Sequence, residues 1–329
     1  MVPVNHRISV RESAPAAVNA AFAEDVRHYL MQDPKQLPSR YLYDQLGSSL
    51  FDAICRLPWY PLTEGETRLI ASQGADILGQ VNSLARIVEL GSGNGEKLAA
   101  LVRTAGSRRR ALDLHLIDIS PAALTTASQT LSVFDRVHVF AHEANYENGL
   151  DQFSREISGP GQTLAMFLGS NIGNYDPPGA AALLKSVYAA LRPGDAFLIG
   201  VDLVKPEADL MLAYDDPLGV TAAFNRNLLV RINRELGGDF DLDGFRHRAV
   251  WNAEASRVEM HLVSTRAQRV RVPGAELDLE FADGEHIWTE SSYKYRPEDV
   301  TELLEAAGFR CGPRWVDDRS KFSLSLAYV

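Results

Sequence analysis

Between residues 86 and 203, short apolar runs alternate with amphipathic segments, and this rhythm constrains the fold more than any other feature of the chain. The runs are RIVEL at 86–90, LHLIDI at 114–119, VHVFAHE at 137–143, LAMFLGS at 164–170 and AFLIGVDL at 196–203. Helical stretches fall between them, opening near Gly95, at Pro121 and at Pro177, the last running to Leu191. Runs this apolar are buried on both faces, so the spacing predicts a doubly wound α/β fold, a parallel sheet covered by helices on each side. Right-handed crossovers then bring the strand ends, and any ligand site, to one edge.

The flanking segments break this rhythm. One amphipathic helix is expected over 16–31 behind a mobile opening, a second from Ser48 to Arg56 and a third from Thr63 to Leu78, with Pro58 and Pro61 separating the last two. Beyond Val204, KPEADLMLAYDDPLGVTAAFNRNLLVRINREL reads as one helical stretch, followed by alternating strands from about Ala249 to Leu279. A helix over 297–307 and a last strand, FSLSLAYV at 322–329, restore the α/β pattern. Two domains follow: an α+β domain from residues 1–62 plus an insertion at 204–292, and the α/β domain from 63–203 plus 293–329. The first is expected to lie over the carboxyl edge of the second.

Composition excludes several functions. The chain carries 33 Lys and Arg against 43 Asp and Glu, a net charge of −10. Its one dense basic run, Arg108-Arg109-Arg110, is too short to make a nucleic-acid surface. Cys55 and Cys311 lie far apart without a CxxC, which predicts reduced core thiols and neither a disulfide framework nor a zinc site. Among eight histidines, His138 and His142 are four apart on an expected strand, where they do not converge as they would on a helix, so no metal is expected. The first 25 residues lack an apolar leader core and no run approaches the ~18 apolar residues of a membrane span. A cytoplasmic monomer with a small-molecule substrate and no membrane partner is the expectation.

Glu89-Leu90-Gly91-Ser92-Gly93-Asn94-Gly95 follows a strand and opens a helix. Glycines let the backbone turn sharply and approach a bulky ligand, and the helix start offers free N–H groups. A dinucleotide site would place Glu96 against a pyrophosphate, which disfavours an NAD oxidoreductase. Asp118, at the end of the next strand, is placed to accept hydrogen bonds from ribose hydroxyls. An acid before GxGxG with a ribose acid one strand later resembles the class I S-adenosylmethionine (SAM) methyltransferases.

A sharper resemblance rests on YLYDQLGSSLFDAICRLP, ELGSGNGEK, FLGSNIGNYDP, the 200–236 block with its FNRN, DFDLDGFRH and WTESSYKYRPE. Together these resemble the histidine Nα-methyltransferases of ergothioneine biosynthesis, the EgtD family, from about Tyr41 to Glu298. The resemblance implies Nα-trimethylation of L-histidine to hercynine, with 63–203 and 293–329 forming the SAM-binding domain and the remainder the substrate-binding domain. It implies that Gly91, Gly93, Lys97 and Asp118 hold SAM and that Asn145 and Tyr146 flank the adenine. It implies that Asn174 and the Gly169 carbonyl orient the substrate amine, with Tyr43 and Tyr214 on its carboxylate. Glu290 and Ser292 would take the imidazole, with Tyr60 and Met260 beside it; Tyr43 and Asn174 would be the catalytic pair. Two positions depart from the family: Asn145, where Asp is usual, and Asn171, where Thr is frequent.

The residues support these roles less sharply by themselves. Asn174 and Gly169 follow an expected strand at the edge where the glycine loop also lies, and Glu290 and Ser292, two apart, share a face of an extended segment. Without the resemblance, Tyr43, Tyr60 and Tyr214 are ordinary half-buried rings, Asn174 a turn residue, Glu290 a solvated strand position and Met260 core. Two other functions compete: a related methyltransferase acting on tyrosine or tryptophan, and a non-catalytic SAM-binding scaffold. Glu290 argues against the first, since a carboxylate suits an imidazole N–H and not an apolar ring.

Overall fold

The computed structural model describes residues 15–105 and 111–329. The mobile opening and the Arg108–Arg110 run expected from the sequence lie outside these residues. The chain divides into two compact units, one comprising Leu62–Val204 and Lys294–Val329, the other comprising residues 15–61 together with Lys205–Tyr293.

The first unit is built on a seven-stranded sheet. Five strands are parallel: Leu84–Leu90, Leu112–Asp118, Val137–Glu143, Gln162–Phe167 and Ala196–Asp202. The first of these is central, flanked by 112–118 on one side and 162–167 on the other, so the chain reverses its direction of winding there. Ligands of open α/β sheets bind outside the carboxyl ends of the strands at such a switch point. Four of these strands are buried along most of their length, as their apolar runs require, and the edge strand 137–143 only in part; Val88, Ile117, Phe153, Phe167, Leu184 and Phe197 share one core. Helix starts follow local chemistry: Ser120 accepts the Ala123 N–H ahead of Pro121, and Asp176 accepts the Gly179 N–H ahead of Pro177.

Two strands depart from a purely parallel sheet. Phe322–Tyr328 runs antiparallel to 196–202, and Arg310–Asp317, unexpected from the sequence, pairs antiparallel with it at the sheet edge. This edge strand is half-exposed and its register shifts across Gly312-Pro313, so it carries neither alternation nor an apolar run. Cys311 on this strand and Cys55 are half-buried free thiols, not core residues.

The second unit holds a four-stranded sheet in the order Lys35–Gln36, His286–Tyr293, Arg257–Ser264 and Phe245–Asn252. A separate ribbon is formed by Gln268–Val272 and Leu277–Phe281. The single helical stretch expected after Val204 is two helices, Glu207–Tyr214 and Val220–Leu236. Pro217 and left-handed Gly219 (φ 72°) interrupt it, and Asp216 collects the N–H groups of Leu218, Val220 and Thr221. The helix expected from Ser48 runs over Gln45–Ile54, because Asp44 caps it by accepting the Gly47 N–H. Among the described residues no helix is long and apolar enough to cross a membrane.

Helix Leu62–Gly79 packs on the turn after the edge strand. A methyl group at Gly65 would stand 1.8 Å from Ser320 Oγ, and Ser320 is itself buried and tied to Asp317 Oδ1 through its N–H and its hydroxyl. Gly65→Ala gains up to ~1 kcal/mol of helix propensity and meets an overpacking cost of about 1–3 kcal/mol. The expected outcome in urea titration is a net loss of stability; an unchanged or raised midpoint would show that this contact yields freely.

Candidate active site

The glycine loop connects strand 84–90 to helix Glu96–Thr104 with three residues in the left-handed region, Gly91, Gly93 and Gly95. Gly91 donates its N–H to the Ile117 carbonyl, which ties the loop to the neighbouring strand. A Cβ at Gly91 would meet the Tyr146 hydroxyl at 2.9 Å and Asn171 Nδ2 at 3.0 Å, whereas one at Gly93 would meet nothing within 4 Å. The loop is therefore packed on one side and open on the other. Asn171 is the side chain through which the segment after strand 162–167 closes on Gly91, and it lies near Gly169.

Acidic groups surround this loop. Asp118 accepts the Gly93 N–H at 3.3 Å and the Ser120 N–H at 2.9 Å, and burial nevertheless raises its carboxyl above the usual range. Glu89 is buried at the end of its strand and is pushed up to about 8, first by desolvation, with Lys97 opposing and Glu66 and Asp118 reinforcing the shift. Its Oε2 and the Ser92 hydroxyl find no hydrogen-bond partner among the described residues. Lys97 forms an ion pair of 2.5 Å with Glu66, a wholly buried acid on helix 62–79. Glu66 also accepts the Gly169 N–H, at 2.8 and 3.1 Å to its two oxygens.

Orphaned acceptors beside an open glycine surface, with an acid at the next strand end, fit the chemistry of SAM, which carries a sulfonium, an ammonium and a ribose. The fit does not extend evenly to every expected residue. Tyr146 packs edge-on against Phe167 with its hydroxyl over Gly91. Asn145 is exposed and caps helix Tyr146–Glu156 by accepting the Asn148 N–H, a role that Asp would fill equally. Gly169, at φ 74°, and Asn174, at the end of a single 3-10 turn over Asn171–Asn174, follow strand 162–167.

In the second unit, the remaining expected residues form one chain of contacts. Tyr43 packs edge-on against Phe51 and Phe224; Phe51 meets Tyr60, and Tyr60 lies 6.2 Å from the ring of Tyr214. The Tyr214 hydroxyl donates to Ser292 Oγ at 2.8 Å. Glu290 is two positions before Ser292, and Met260 faces Glu290 across the strand pair. The strand bulges between Trp288 and Glu290, and Trp288 Nε1 donates to the Glu290 carbonyl. Glu290, Ser292 and Met260 are all buried.

Glu66 is a residue that sequence reasoning missed, and Asn171 one that it singled out without a role. The histidines also hold a contact it missed: His115 and His142, on adjacent strands, hydrogen-bond at 3.1 Å between Phe140 and Phe153. With Glu156 they offer three possible ligand atoms within 4.8 Å of one another. Burial holds both rings below their ordinary range, so they are neutral and packed as core.

Two outcomes follow for the loop. Asp118→Ala is expected to weaken binding of SAM and of its demethylated product by about 1.5–3 kcal/mol in calorimetry, through loss of a charged acceptor; unchanged affinity in a folded variant would remove Asp118 from the cofactor site. Because Glu89 is raised from 4.5 to about 8, its folded form prefers the proton, so its contribution to stability is full below 4.5 and is lost as pH rises through 8. Glu89→Gln should therefore reduce the fall in unfolding free energy between pH 6 and pH 9 by at least about 2 kcal/mol. Equal pH slopes for the two proteins would contradict this.

A family model described as histidine-specific, SAM-dependent methyltransferase matches residues 22–329. The chain is 42% identical to a histidine N-alpha-methyltransferase of Mycolicibacterium smegmatis over 93% of its own length and 94% of that protein's. It is 41% identical to one of Mycobacterium tuberculosis, over 94% and 96% of the two chains. An ergothioneine biosynthesis protein 1 of Neurospora crassa is 30% identical over 86% of this chain and 32% of that longer protein. Among solved structures, the CcbJ methyltransferase of Streptomyces caelestis aligns with a TM-score of 0.43 at 11% identity, over 79% of this chain and 94% of that one. The sheet is that of a class I SAM-dependent methyltransferase with SAM as cofactor, and the chain belongs to the histidine-specific, SAM-dependent methyltransferase family.

Proposed function

We propose that this enzyme methylates the α-amine of L-histidine, in three successive transfers that end in the trimethylammonium betaine hercynine, the first step of ergothioneine biosynthesis. It acts in this reading as a cytoplasmic monomer without nucleic-acid or membrane partners. The observation that carries the substrate assignment is the buried Tyr214–Ser292 hydrogen bond with Glu290 on the same strand. A hydroxyl pair and a carboxylate among aromatic rings suit a small ligand that has both an apolar ring face and N–H donors.

Bound SAM supplies an electrophilic methyl group on a sulfonium. The chain's own task is to present a neutral amine to it. An α-amine has a pKa near 8, somewhat higher in a free amino acid, so a fraction is neutral at working pH and a strong base is not required. Asn174 and the Gly169 carbonyl orient this nitrogen, with Tyr43 and Tyr214 on the carboxylate. Glu290 accepts the imidazole N–H and Ser292 completes the grip, with Tyr60 and Met260 as apolar walls. Gly91, Gly93, Lys97 and Asp118 hold the cofactor, and Asn145 and Tyr146 border its adenine. Orientation and exclusion of water supply most of the acceleration, because no new charge is created. An amide at Asn174 tolerates amine, methylamine and dimethylamine in turn.

Glu290→Ala tests the assignment. Loss of a charge-assisted hydrogen bond should lower kcat/KM for histidine by about 2–3 kcal/mol, roughly 30- to 150-fold. Removal of the charge also removes a penalty against apolar rings, so activity on tryptophan or phenylalanine should rise relative to histidine. Wild-type histidine kinetics in the variant, or a wild-type enzyme that prefers tyrosine or tryptophan, would reject the histidine reading.

A further inference from the structure

Glu66 is a poor candidate for a merely structural acid. It is wholly buried, yet neither of the partners just described is local: Lys97 lies 31 residues away on the helix that follows the glycine loop, and Gly169 lies 103 residues away in the acceptor loop. Both carboxylate oxygens accept the Gly169 N–H, and Oε2 also takes the lysine. Space for it is kept by Gly200, where a Cβ would stand 2.4 Å from Oε1. Lys97 Nζ lies 3.1 Å from the point where a Cβ on Gly169 would be, so the ammonium passes directly beneath that residue. With its N–H tied and φ at 74°, Gly169 has a fixed turn, and the carbonyl that follows has a set direction. An ion pair between a buried acid and a part-exposed lysine is retained for placement more readily than for stability.

We infer that Glu66 is a positioning residue that couples the two subsites, holding the cofactor-binding Lys97 and the amine-orienting Gly169 on one carboxylate. The inference rests on the substrate reading above for the role of Gly169. When Lys97 engages a cofactor carboxylate, its bond to Glu66 fixes the same carboxylate that fixes the Gly169 turn. Cofactor and amino acid should then bind with positive coupling, each raising the affinity of the other by the same factor.

Calorimetry of histidine binding, with and without the demethylated cofactor product, reads this factor directly. In the wild type, histidine affinity should rise by about tenfold or more when the product is bound. In Glu66→Gln, which keeps the size but turns an amide N–H toward either Lys97 or the Gly169 N–H, the factor should fall to about twofold or less, with affinity for the product alone within about fivefold of wild type. A purely structural role would lower the melting temperature and leave the ratio unchanged. Glu66→Asp, which keeps the charge but is too short to reach both partners, should give a reduced factor and decides the question if the glutamine variant fails to fold. A wild-type ratio in either folded variant, or no coupling in the wild type, overturns the inference. Absence of histidine binding to the wild-type complex would reject the substrate reading instead, and the ratio would then be read with the amino acid that binds.

Discussion

The carboxyl edge of the parallel sheet is held in a state of electrostatic tension. Glu66, Glu89 and Asp118 converge there with Lys97, two of the acids buried and the third half-buried. Desolvation disfavours the charged forms of Glu89 and Asp118, so Glu89 keeps its proton through neutral pH, while Glu66 is paired with Lys97. A site so built favours a cationic ligand, and the open face at Gly93 leaves room for one. Much of the surrounding architecture serves this arrangement: Gly200 admits the carboxylate of Glu66, Gly169 leaves room for the ammonium of Lys97, and strand 112–118 ends at Asp118.

How much of this was legible depended on whether the signal was local. Four of the five parallel strands announce themselves as buried apolar runs, the edge strand 137–143 by its place in the alternation, and the glycine loop because its conformation demands glycine within seven residues. The edge strand 310–317 is half-exposed and bulged at Gly312-Pro313, so no periodic pattern marks it. The break after Tyr214 hinges on Asp216, whose carboxylate accepts three N–H groups, a set of contacts that the helical pattern of the whole stretch does not reveal.

The candidate site divides in the same way. Gly91, Gly93 and Asp118 can be argued from spacing, whereas Tyr43, Tyr60, Tyr214 and Met260 have only ordinary packing roles until a family pattern groups them. Glu66 was beyond reach, since helix 62–79 carries other acids and only the tertiary fold brings Lys97 and Gly169 to this one. Asn171 is legible only once Gly91 is seen beneath it. The His115–His142 pair requires the register of two neighbouring strands, which sequence spacing does not supply.

In the second unit the same economy of means joins the residues proposed to hold the amino acid. Tyr214 ends one helix, Tyr60 precedes another, and Glu290 and Ser292 come from a strand, yet an aromatic chain and one hydrogen bond join them. The central claim is that these residues read an imidazole while the amine is methylated to completion. The most direct measurement is the mass and the NMR spectrum of the product formed from histidine with excess SAM. The account predicts a gain of three methyl groups, +42 mass units, all on the α-nitrogen. A methyl on a ring nitrogen, or no product from histidine beside turnover of tyrosine or tryptophan, would contradict it.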